Sequence, residues 1–133
     1  MLSIANKTRQ PLPRLPFTDI ADQTAGKNYI LSLVFVGSTT AKKLNQTYRQ
    51  KNYIPNVLSF PLSKNEGEIF LNLACAKREY KNYGLSYKKY IAYLFIHGLL
   101  HLKGYSHGST MDIKERSLIQ RFHLNDQKHR HRP

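Results

Sequence analysis

Residues 86 to 104 read SYKKYIAYLFIHGLLHLKG. Ser86 is a good helix N-cap and Gly104 a good helix stop, and beyond Tyr90 the residues between them are apolar on nearly every face. A helix with apolar residues all round belongs in the middle of a fold, so the rest of the chain is expected to pack around this segment. It also carries His97 and His101, and it leads through Gly104 to His107.

Working outward, Phe17, Ile20, Ala21 and Thr24 recur at helical spacing before Gly26, which predicts a short amphipathic helix. NYILSLVFVG, closed by Gly37, has the β-branched and aromatic run of a buried strand. STTAKKLNQTYRQKN predicts a helix opened by Ser and Thr caps, with Ala41, Leu44 and Tyr48 on one face. Pro55 and Pro61 bracket IPNVLSFPL and suit an extended edge, with Phe60 read as core. SKNEG reads as a turn, EIFLNLA as a strand, and CAKREYKNYG as a short helix ending at Gly84. A last helix, MDIKERSLIQRFH, places Met111, Lys114, Leu118 and Phe122 within its turns and fades into a basic tail over about 124–133. The expected fold is α+β, one domain over residues 1–133: a small mixed four-stranded sheet packed with helices around the central apolar helix.

A chain of 133 residues has room for one core, and its hydrophobic fraction of 41% is that of a folded protein. Against 8 Asp and Glu stand 21 Lys and Arg, a formal net charge of +13. Such a field attracts polyanions, nucleic acid first among them. Cys75 is the single cysteine, so the chain builds neither an internal disulfide nor a thiolate zinc site, and a reducing compartment fits. The opening residues lack the apolar core of a signal peptide, and YIAYLFIHGLLHL is too short to span a bilayer. The expectation is a cytoplasmic protein without membrane contact.

On a helix, residues four apart lie on one face, so His97 and His101 can share one ion. Gly104 lacks a Cβ and can take the left-handed turn that brings His107 back to them. Three imidazoles leave the fourth position of a tetrahedral ion open, which is the arrangement of a catalytic rather than a structural zinc site. Metzincin peptidases share this His, Gly and His spacing, but they need Glu after the first histidine, where this chain has Gly98. That disfavours a peptidase. His123, His129 and His131 lack ligand spacing and are not expected to join the site.

The string His97-Gly98-x-Leu100-His101-Leu102-x-Gly104-Tyr105-x-His107 resembles the signature of the YbeY family of metal-dependent bacterial endoribonucleases. LNQTYRQKNYIPNVLSFPL, residues 44 to 62, resembles that family's second block, and GEIFL, residues 67 to 71, the strand that follows. Ser106 stands where the family usually has Asp, and Pro55 where it usually has Thr. The resemblance implies a single-strand endoribonuclease that matures ribosomal RNA at the 3′ end of the small-subunit RNA and takes part in ribosome quality control. It implies one divalent metal, zinc by ligand preference, on His97, His101 and His107, and a catalytic role for Arg49, whose guanidinium can grip phosphate in two hydrogen bonds. Lys42, Lys43 and Lys51 could follow the RNA backbone. By family order Glu68 is the candidate general base. The implied partners are ribosomal RNA, the small subunit and its proteins, and a ribosome-assembly GTPase. Two rival readings are a non-catalytic assembly factor with a structural metal and a zinc peptidase.

Overall fold

The structure is a computed structural model, and it describes residues 1–122. The basic tail and His123, His129 and His131 lie outside the described residues. In chain order the elements are β1 (Leu2–Asn6), α1 (Phe17–Ala25), β2 (Ile30–Val36), α2 (Ser38–Arg49), β3 (Val57–Ser63), β4 (Glu66–Asn72), α3 (Leu73–Glu79), a 3₁₀ turn (Tyr80–Tyr83), α4 (Tyr87–Leu102) and α5 (Ser109–Arg121).

The four strands form one mixed sheet in the order β1-β2-β4-β3, with β1, β2 and β4 parallel and β3 antiparallel on the edge. Pro61 is tolerated because β3 is an edge strand and its register shifts between Pro61 and Ser63. The strand at Leu2–Asn6 is one that local pattern did not single out. It forms by adding to β2, with Leu2 opposite Leu31 and Asn6 opposite Phe35.

α4 lies against one face of the sheet, as its apolar surround predicts, and α1, α3 and α5 pack on it in turn. Ile91, Phe95, Ile96, Leu99 and Leu100 are fully buried there against Leu33, Phe35, Ile69 and Leu71. Phe17 of α1 meets Phe35 and Phe95 edge to face, with ring centroids 5.8 and 5.3 Å apart.

The opposite face is covered differently from the expectation. α2 packs there against β3 and β4 but leaves β2 open, so Ile30 is exposed and Ser32 and Val34 are half-buried although the whole run is apolar in pattern. Within α2 the buried face is Ala41 and Asn45, whereas Tyr48 is exposed, because α2 sits on the edge of a narrow sheet. Its N-cap is Gly37 and not a hydroxyl residue; Ser38 lies inside the first turn and its Oγ accepts a hydrogen bond from Asn72 Nδ2 at 3.2 Å.

Asn72 ties three elements to the end of β4. Its Oδ1 accepts from Cys75 N at 3.1 Å and caps α3, and its Nδ2 also donates to Pro55 O at 3.1 Å. The backbone N–H of Asn72 donates to Asn56 O at 2.9 Å, so the segment entering β3 is held from both sides.

Candidate metal centre

Gly98 decides how closely α4 approaches the sheet. A Cβ at this position would lie 2.9 Å from Ser59 Oγ and 3.2 Å from Ile69 Cδ1, and Ser59 Oγ donates a hydrogen bond to Gly98 O at 3.0 Å. The glycine that argued against a peptidase base is therefore required for packing, and a glutamate has no space there. The close approach sets His97 and His101 beside β3.

At its C-terminus α4 closes in a Schellman motif: Gly104 takes φ 93°, its N–H donates to His101 O at 3.0 Å, and Tyr105 N donates to Leu100 O at 3.0 Å. The chain then turns back, and His107 joins the other two histidines, with ring centroids 5.1 Å from His97 and 4.9 Å from His101. Each of the three offers one ligand nitrogen, and these atoms all lie within 4.8 Å of one another.

The other ring nitrogens of the first two histidines are already engaged. His97 Nδ1 is 2.5 Å from Glu115 Oε2, and His101 Nδ1 is 3.0 Å from Tyr105 O. Both acceptors favour a proton on Nδ1 and so present the Nε2 lone pair as a ligand. The two Nε2 atoms stand 3.1 Å apart. A tetrahedral ion about 2.0–2.1 Å from each nitrogen would set them about 3.3 Å apart, so the donor set fits a divalent ion of zinc's size. Burial, then the neighbouring His97 and His107, holds His101 below the ordinary imidazole pKa, which keeps it neutral at pH 7 and able to ligate.

Arg49, Tyr53, Asn56 and Ser59 line a pocket of about 550 Å³ together with the three histidines. Arg49 Nη1 is 3.3 Å from Asn45 Oδ1 and 3.4 Å from Tyr53 OH. Asn45 is fully buried and its Nδ2 donates to Tyr53 O at 3.0 Å, so α2 and the following loop jointly aim the guanidinium. Glu68 does not join this pocket. It shares the opposite face of the sheet with Phe60, its register partner, and lines a separate cleft with Leu44, Tyr48, Leu62 and Phe70. Phe60 is half-buried there and not in the core. Ser106 is exposed.

Three contributors escaped the sequence reading. Glu115 occupies the buried face of α5 with Met111 and Leu118, where Lys114 was expected; its signal is an acid four residues after one core position and three before the next. The backbone carbonyl of Tyr105, which holds His101 Nδ1, leaves no mark in the side-chain pattern. Asn45 reads as a polar helix residue in sequence and leaves no local sign that it is buried.

A profile of the family described as Endoribonuclease YbeY matches residues 14–128. Curated relatives described as Endoribonuclease YbeY include one from Phytoplasma mali, 40% identical over 93 residues, which are 68% of this chain and 63% of that protein. Another, from Campylobacter jejuni, is 37% identical over 102 residues, 71% of this chain and 76% of that protein. The chain thus spans less than two thirds of the length of the first of these relatives. A solution structure of a Thermotoga maritima protein is similar with a TM-score of 0.65 and 21% identity, covering 100% of this chain and 94% of that chain, a likeness of fold.

Proposed function

The chain belongs to the Endoribonuclease YbeY family, and on that premise we propose that it is a metal-dependent endoribonuclease that cuts single-stranded RNA. The observation that carries the reading is the convergence of the three imidazoles on one pocket whose wall holds Arg49. His97, His101 and His107 would hold one divalent ion, with zinc as the first choice because imidazole suits it. When bound, that ion supplies Lewis-acid polarisation of a phosphoryl oxygen.

The chain's own groups supply phosphate binding, charge and ligand orientation. Arg49, held by Asn45 and Tyr53, binds a non-bridging phosphate oxygen and offsets the charge that grows on phosphorus-bound oxygen during P–O cleavage. Glu115 and the Tyr105 carbonyl orient two ligands. The net charge of +13 draws the polyanion toward the pocket. Three ligands leave an exchangeable position, which favours catalysis over a purely structural metal. A peptidase is disfavoured because Gly98 has no room for a carboxylate side chain.

The biological substrate in this reading is ribosomal RNA at the 3′ end of the small-subunit RNA, in the cytoplasm, with the small subunit, its proteins and an assembly GTPase as partners. No helix among the described residues is long and apolar enough to cross a membrane. The test is cleavage of a labelled fragment of small-subunit RNA by tag-free protein beside His101→Ala purified identically. Cutting by the wild type alone supports the enzyme. Equal cutting by both assigns the activity to a contaminant, and binding of metal and RNA without cutting supports an assembly factor.

A further inference from the structure

The cleft on the other side of β3 has no part in the site described above. Its walls are Leu44 and Tyr48 of α2, Phe60 and Leu62 of β3, and Glu68 and Phe70 of β4, around a volume of about 400 Å³. Three rings run across it edge to face: Tyr48 to Phe60 at 5.8 Å and Phe60 to Phe70 at 5.9 Å between centroids. Tyr48 is 66% exposed, so an aromatic face is presented to solvent, and α2 leaves the adjoining part of the sheet uncovered.

Charge identifies what fits this surface. From residue 23 to residue 65 there is no aspartate or glutamate, while Lys27, Lys42, Lys43, Arg49, Lys51 and Lys64 are all present. Lys42, Lys43, Lys51 and Lys64 are exposed. Lys43 borders Leu44 and Tyr48 on the adjoining surface of α2, and aromatic rings beside a solvated cation are the usual platform for single-stranded nucleic acid, in which the bases stack and the phosphates meet lysine. A docking surface for an apolar peptide gains nothing from these charges. The one acid in the cleft, Glu68, is half-buried, and its carboxylate has no hydrogen-bond or ion-pair partner among the described residues. It faces the rings, where a carboxylate can accept from the exocyclic amino group of a base.

Position ties the cleft to the histidine pocket. Arg49 and Ser59 line that pocket, while their chain neighbours Tyr48 and Phe60 line the cleft, so one RNA strand passing over the edge strand β3 can reach both. We propose that the cleft is a nucleobase site, in which a base flanking the scissile phosphate stacks on Tyr48 and Phe60 while Glu68 accepts from its amino group. The inference rests on the ribonuclease reading and adds to it a residue set that selects the flanking base.

The test uses the full metal-loaded chain, with binding read by rapid mixing before cleavage sets in. Single-stranded RNA oligonucleotides carrying 2-aminopurine report stacking by a change in fluorescence. Wild type and Tyr48→Phe should bind and shift the signal, whereas Tyr48→Ala should bind about tenfold or more weakly and lose the shift, the effect of removing one stacked base. Tyr48 is exposed, and circular dichroism checks that the variant is folded. Oligo(A) and oligo(C) should bind better than oligo(U), and Glu68→Gln should relax that preference, since an amide both donates and accepts. If Tyr48→Ala binds and responds like the wild type, the cleft is not a nucleic-acid site, and an apolar protein segment becomes its best occupant. An unchanged preference in Glu68→Gln removes that residue from the site. If the wild type binds no single-stranded RNA at all, the ribonuclease reading fails first and this inference with it.

Discussion

Glu115 Oε2 lies 2.5 Å from His97 Nδ1, joining α5 to the central helix across eighteen residues of sequence. Glu115 is only 5% exposed, a costly place for a carboxylate unless it is hydrogen-bonded. Its partner is a ring nitrogen whose protonation decides whether Nε2 can ligate. Glu115→Ala is therefore expected to weaken zinc binding about 10- to 100-fold, the usual effect of removing a ligand's hydrogen-bond partner. Glu115→Gln keeps an oxygen that accepts from Nδ1–H and should lose less. Calorimetric titration of both variants with zinc checks the order; equal affinity in Ala, Gln and wild type would remove Glu115 from the site.

Substitution of Arg49 is expected to separate binding from chemistry. Its contacts with Asn45 and Tyr53 are long for hydrogen bonds, so it can swing to a phosphate with little loss. Arg49→Ala is expected to lower the cleavage rate about 10²- to 10³-fold, with a much smaller change in KM. Arg49→Lys should recover only part, because an ammonium cannot form the two-pronged contact. Single-turnover kinetics read the difference.

Metal loading should stabilise the fold, because the three candidate ligands come from the end of α4 and the loop beyond it and converge only in the folded chain. Free zinc at about 100 times Kd is expected to add about 2.7 kcal/mol. At this chain length that corresponds to a rise in Tm on the order of 10 °C. His107→Ala should lose most of the shift, and scanning calorimetry with and without zinc provides the comparison.

Gly98→Ala sets two effects against each other. Alanine gains about 1 kcal/mol of helix propensity, but its Cβ would lie 2.9 Å from Ser59 Oγ, and overpacking costs about 1–3 kcal/mol. The crowding should win, with a net loss of about 1 kcal/mol in urea denaturation and weaker zinc binding as α4 moves off the sheet. A stabilised variant would show that α4 has slack against β3.

Asn72→Ala removes the cap of α3 and the donor to Ser38 Oγ and Pro55 O in one step. The expected loss is about 2 kcal/mol, from a missing cap and a buried carbonyl left without that partner. Because the same residue anchors the approach to β3, cleavage should fall as well, even at temperatures where the variant is fully folded.

The histidine site was legible because its information is local. A helical repeat puts His97 above His101, and a glycine that takes positive φ turns His107 toward them. α4 announced its central place by having no polar face after Tyr90. Arg49 was reached through likeness to a family and not from its own surroundings, since an arginine at a helix end carries no sign of its direction. Glu68 shows the limit of reasoning by order along the chain: alternation along β4 turns it to the far face of the sheet, away from the histidines.

By itself, then, the sequence determined the α+β character, the central helix, the turn that ends it and the gathering of His97, His101 and His107, all consequences of backbone geometry over a few residues. Tertiary structure decided what depends on surfaces meeting from distant segments. It added Leu2–Asn6 as a fourth strand, chose Asn45 over Tyr48 for burial because α2 sits at the sheet edge, and placed Glu115 behind His97. A strand pairing or a buried carboxylate is stable only when its partner is present, and that partner lies many residues away along the chain.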